Sequence, residues 1–200
     1  MDRLVQAFAR FDALNRESPP GPSGLPAELC YSLRMTAWLS RGWPDASEAL
    51  RLAVRAQHLA RHRTPRAAYP EGRDGYRAWR KAAARRHAEL ATEVLLEVGY
   101  DLAFAERVAS LIRKERFKVD PEAQALEDVA CLVFVEHELR PFAATQEESK
   151  VVTIIAKTWP KMSAYAQSLA GSLELDPDAA ALVRRAIALA TTDPAPPDDA

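Results

Sequence analysis

Apolar residues recur at helical spacing along most of this chain, and no stretch alternates as a half-buried strand does. Leu4, Phe8 and Phe11 form a first stripe and predict a helix over about residues 3–13, which "ESPPGPSGLP" breaks. Pro26 suits the first turn of a second helix, about 26–40, with Leu29, Leu33, Ala37 and Trp38 on its apolar face. In "WPDASEAL" Asp45 is placed to cap and Glu48 follows three residues on, so a third helix is expected to run to about His62 before Pro65. A long helix follows over about 75–98, closed by Gly99, and Asp101 opens another over about 101–115. Asp120-Pro121-Glu122 is a further N-terminal signature, and from Val129 to Val135 that helix is apolar on every side, so it should be buried. The last helices are expected over about 145–169, kinked or split at Pro160, and about 177–190. "TTDPAPPDDA", residues 191–200, is polar and proline-rich and reads as a disordered acidic tail. The expected fold is therefore all-α: one helical domain over residues 1–190, a bundle of about seven to eight helices without repeats.

Composition narrows the function. A chain of 200 residues with 48% apolar and 28% charged side chains has the balance of a soluble globular protein. A net charge of −1 excludes a bulk nucleic-acid or membrane binder. Cys30 and Cys131 form no CxxC, so neither a disulfide framework nor a zinc knuckle is indicated. No signal peptide or long apolar run is present, which makes the cytoplasm the expected compartment and a membrane partner unexpected. Charge is nevertheless segregated: residues 51–90 hold eleven Lys or Arg and three Asp or Glu, a local +8 able to attract phosphate. A solvated helix face reads the same way. Arg66 and Arg73, interleaved with Tyr69, Tyr76 and Trp79, suit either loop packing or a ligand with a phosphate and a flat ring.

Three places carry candidate chemistry. His87 lies on the seam Trp79, Ala83, His87, Leu90, Val94, so it is either a satisfied core residue or a ligand facing the interior. Glu127 and Asp128 stand where their helix enters its apolar stretch. A carboxylate there needs a cation, a metal or hydrogen-bond donors, and a salt bridge or a cap to another helix would serve as well as a metal. His58 and His62, four apart, share a helix face with Arg51 and Arg55. That face is either a metal site or a wet polar stripe, with His62 expected outside it. No P-loop, GxSxG, HExxH or GxGxxG is present.

The succession "YSLRM", "AQHLAR", "HAELATEVLLEVGY", "LEDVACLVF" resembles the HD-domain superfamily of metal-dependent phosphohydrolases. On that resemblance Tyr31 stands at the first histidine, Gln57 and His58 at the His-Asp pair, His87 at an additional histidine and Asp128 at the distant aspartate. Two expected histidines are thus replaced, and the paired Asp is a His. A more specific likeness runs over nearly the whole chain. "PAELCYSLRMTAWL", "ASEALRLAVRAQHLARHRTPRAAYP", "GYRAWRKAAARRHAELA" and "DPEAQALEDVACLVFVEHEL" resemble the uncharacterised family named domain of unknown function 4202.

These likenesses imply two classes of function. In the first, His58, His87 and Asp128, with Glu28, hold a divalent transition metal (zinc, manganese or iron), and Asp128 and Glu127 serve hydrolysis of a phosphorylated, nucleotide-like small molecule. Arg55, Arg61, Arg66, Arg73 and Arg80 would clamp the phosphate, Tyr69, Tyr76 or Trp79 would stack on its base or sugar, and Gln57 and Tyr31 would line the substrate side. In the second, the same bundle binds a nucleotide, part of an RNA or an acidic partner without turning it over, as a non-catalytic module with a degenerate HD site.

Overall fold

The structure is a computed structural model that describes residues 2–192. Its described residues contain ten α-helices and no strand; the only bridge among them joins Pro20 and Pro26. By its internal contacts the chain divides into two compact units, Met1–Leu126 and Glu127–Ala200.

In the first unit α1 (Arg3–Asn15), α2 (Ala27–Gly42), α3 (Glu48–Arg55), α4 (Gly72–Glu97) and α5 (Leu102–Ile112) pack together. The strongest packing is α4 on α5, with α3 lying on α5, α2 and α1. Local chemistry sets the ends. Asp2 accepts from Leu4 N at α1, and Asp101 from Phe104 N at α5. The cap of α3 is Ser47, which accepts from Leu50 N, rather than Asp45 two residues earlier. Gly99 at φ +90° ends α4 as expected. Gly75 is required for packing: a β-carbon there would lie 1.9 Å from Pro70 O, so only glycine lets the preceding loop fold onto α4. An ion-pair network fixes the other side of the unit. Arg107 on α5 donates to Asp120 and Glu122, and Ser47 donates to Glu122.

The third helix ends seven residues before its expected limit at His62. Residues 56–60 form turns, Ala60 is left-handed at φ +50°, and Arg61–Arg63 is a single 3₁₀ turn. Side chains from other helices replace the lost helical bonds. Asn15 Oδ1 accepts from Ala60 N at 3.0 Å, and His87 Nδ1 donates to Leu59 O at 2.7 Å. His58 and His62 therefore do not share a helix face.

The division into units falls within α6 (Pro121–Val133), whose first turn is capped by Asp120 Oδ1 accepting from Glu122 N and Ala123 N. Beyond it the helix loosens into a π-turn, Phe134–Glu138, before α7 (Leu139–Ala143). α8 (Glu148–Thr158) and α9 (Ala164–Gly171) are separated by a 3₁₀ turn holding Pro160, so the expected 145–169 helix is split. α10 (Pro177–Thr192) packs on α8, with Val135, Leu139, Val151, Ile155 and Val183 in the core. These interruptions account for ten helices where the pattern suggested seven or eight. Thr191 and Thr192 close α10, and the rest of the expected tail lies outside the described residues.

Candidate functional site

Helix α4 supplies the frame of the site. The predicted seam is buried throughout, with Trp79, Ala83, His87, Leu90 and Val94 all sequestered. Trp79 Nε1 donates to Thr64 O at 2.8 Å, which ties the loop after the 3₁₀ turn to the helix. The same seam presents His87, 2% exposed, to the turn that ends α3.

Two imidazoles meet there in defined protonation states. Leu59 O is an acceptor only, so His87 carries its proton on Nδ1 and its Nε2 is an unprotonated lone pair. That Nε2 is buried and has no hydrogen-bond partner. Burial holds the His87 pKa down to about 4 despite the bond to Leu59, and the neighbouring Arg61 charge adds to the effect. The His58 ring centroid lies 6.0 Å from that of His87 and stacks on Tyr31 at 4.2 Å, with 14° between the planes. His58 Nε2 meets Arg61 Nη1 at 2.7 Å; a guanidinium only donates, so this nitrogen is also unprotonated. Desolvation, then the charges of Arg61, His87, Lys114 and Arg80, holds His58 well below the usual histidine range.

The cations around this pair are unusual in their partners. Arg61 lies with its guanidinium carbon 4.5 Å from the Trp79 ring centroid and makes no ion pair with a carboxylate among the described residues. Its pKa is lowered, chiefly by burial. Glu28 is near enough to Arg61 to oppose that shift, but its Oε2 faces His62 Nδ1 at 3.8 Å, and neither of these two atoms has a hydrogen-bond partner. Both chain segments delivering cations are conformationally strained: Ala60 precedes Arg61 at φ +50°, and Lys114 itself sits at φ +57°. Non-glycine residues avoid this region, and such strain concentrates at functional sites.

The structure thus brings together Tyr31, His58, Arg61, Trp79 and His87, with Glu28, Tyr76 and Arg80 within electrostatic reach. Gln57 is buried with its Oε1 unpartnered. Other expected residues are engaged elsewhere. Arg55 forms a two-pronged, buried pair with Asp12, at 2.9 and 2.7 Å, and also bonds Thr36. Arg66 donates to Tyr69 O, and Arg73 is exposed near the start of α4. In the second unit Asp128 accepts from Ser163 N at 2.9 Å and from Ser163 Oγ, so it braces the start of α9. Glu127 is partly buried beside it. Asn15, the Leu59 carbonyl and Lys114 belong to the cluster without any sequence signal that names them.

Among the described residues no group of three or more His, Cys, Asp or Glu side chains converges as a metal cage. At His58 the donor set opposes a divalent ion, since its imidazole nitrogen is turned onto a guanidinium whose charge repels a second cation. A separate open depression of about 470 Å³ lies beside the cluster's loop, lined by Arg63, Tyr69, Arg85, Arg86 and Glu89 among others. No helix among the described residues is long and apolar enough to cross a membrane.

Fold and cluster together define an all-α protein with a buried, neutral histidine pair among cations. Within that class the chain belongs to the family described as Domain of unknown function (DUF4202), which matches residues 5–183. No curated protein and no solved structure matches it.

Proposed function

We propose that the first unit binds a phosphorylated small molecule, nucleotide-like in carrying a flat or sugar moiety beside its phosphate, with Arg61 as the anion-pairing group and no resident metal. One observation carries this reading: a largely desolvated guanidinium, held by His58 and the Trp79 face, makes no ion pair with a carboxylate among the described residues. A buried charge without a close counter-ion is costly, and an arriving phosphate offsets that cost with two-pronged, charge-assisted hydrogen bonds. Arg80 and Lys114, both close enough to depress His58, add to the attraction. The rings of Tyr31, Trp79 and Tyr76 supply faces for the rest of the molecule.

Titration calorimetry with inorganic phosphate and nucleoside monophosphates, in buffer containing EDTA, tests the reading on wild type and Arg61→Gln. Saturable binding is expected in wild type and at least about tenfold weaker binding in the variant, the scale of a lost charge-assisted pair. Absence of binding up to millimolar ligand would overturn the proposal.

Metal-dependent phosphohydrolysis is the second reading. It draws on His87, whose Nδ1–H is fixed by a backbone carbonyl while Nε2 is left open, the arrangement of an oriented metal ligand. The EDTA arm separates the two. Binding or turnover that vanishes in EDTA and returns with zinc or manganese would favour the hydrolase. The cytoplasm is the proposed compartment for either activity.

A further inference from the structure

Arg61 accounts for an anion, but the cluster contains a second demand that an anion alone does not meet. His87 Nε2 is a bare acceptor in a buried position, 2% exposed as a residue, and nothing among the described residues donates to it. The bond from Nδ1 to Leu59 O fixes the ring, so the nitrogen does not turn away to find a partner. A proton on Nε2 would find no acceptor among the described residues either, so taking one up does not meet the demand. An unsatisfied buried acceptor is destabilising, and a donor group on a bound ligand relieves the cost. That donor must arrive close to the anion, because the imidazole accepting from Arg61 lies only 6.0 Å, ring to ring, from His87.

Resting on the phosphate-binding reading above, we infer that the ligand is a hydroxylated phosphate ester, such as a sugar or ribose phosphate, whose hydroxyl donates to His87 Nε2 while its phosphate pairs with Arg61. A ligand that is all acceptor, such as a fully ionised phosphate without hydroxyls, leaves the nitrogen bare and gains only the Arg61 contact. Selectivity follows from this: His87 distinguishes ligands that present a donor from those that do not. Because Nδ1 is committed to Leu59, the two ring nitrogens have separate roles, one for the fold and one for the ligand.

The test compares ribose 5-phosphate with methyl phosphate by calorimetry, on wild type and His87→Asn. An asparagine amide replaces the Nδ1 donor towards Leu59 O but has no atom at the Nε2 position. Wild type should bind ribose 5-phosphate about five- to tenfold more tightly than methyl phosphate, the size of one buried hydrogen bond. In the variant the two should bind alike, near the methyl phosphate affinity of wild type. Nitrogen NMR of wild type gives a readout independent of the variant's folding: ribose 5-phosphate should move the His87 Nε2 resonance upfield, and methyl phosphate should leave it in place. Equal binding of both esters by wild type, or an unmoved Nε2, overturns the inference and leaves the phosphate reading standing. Failure of wild type to bind either ester overturns that reading, and the inference with it.

Discussion

His87 shows how a single buried residue can stabilise the fold and shape a site at once. Its neutral form bridges α4 to the turn after α3, and its protonated form would place a second charge beside Arg61. The folded-state pKa is depressed, from an ordinary 6.5 to about 4, and that of His58 is depressed too. Below the ordinary value the unfolded chain binds protons that the folded chain refuses. Stability is therefore complete above pH 6.5 and is lost as pH falls towards 4, by about 3 kcal/mol for a depression of the size at His87. Urea denaturation between pH 7.5 and 4 should show this slope in wild type and a shallower one in His87→Asn. Identical slopes in the two proteins would mean that the His87 proton is not linked to folding. The Asp120 carboxylate, held down to about 2 chiefly by its hydrogen bonds from Arg107, adds slope only near the acid end of this window, and adds it equally in both proteins.

At the scale of elements, periodicity was a good guide wherever a helix buries one stripe. The α4 seam, the helix starting after Asp120, the glycine stop at Gly99 and the break at Pro160 all follow from local pattern. The end of α3 does not, because nothing between Arg55 and His62 is a poor helix former. Asn15 and His87 end it by offering the backbone alternative partners, a tertiary effect that one segment's sequence does not contain. The same effect decided the site. His87 faces the interior as its seam implied, and His58 joins it because the helix unwinds, whereas Arg55, still helical, turns to Asp12. Asp128 illustrates a carboxylate whose burial is explained by capping. It takes both donors of Ser163 at the first turn of α9. Asp128→Asn and Ser163→Ala should each cost about 1 to 2 kcal/mol in thermal unfolding, and the double variant less than their sum, since they break one shared contact. Strict additivity would show that the two side chains do not act together.

Across the whole molecule, charge balance decides which class of phosphorylated partner is plausible. A +8 segment in a chain of net charge −1 invites comparison with nucleic-acid binders. The pairing and burial of its cations favour a smaller partner. Arg55 is matched by Asp12, Arg63 by Glu17, and Arg85 and Arg86 share Glu89, so four of the eleven cations already stand in ion pairs. The depression lined by Arg63, Arg85 and Arg86 includes Glu89 in its own wall. Among the cations of this run that make no ion pair with a described carboxylate, Arg51, Arg77, Arg80 and Lys81 are exposed, whereas Arg61 is largely buried, a setting that suits a single phosphate group better than a polymer backbone. Binding should therefore involve few ions. In fluorescence anisotropy at about 50 and about 200 mM salt, a short labelled single-stranded RNA should bind only weakly at the lower concentration and lose what binding it has at the higher. The affinity for a phosphate monoester should change by a few-fold at most over the same range, because one desolvated pair is poorly screened. Tight RNA binding with a steep salt dependence would assign the basic segment to a nucleic acid and displace Arg61 from the centre of the mechanism.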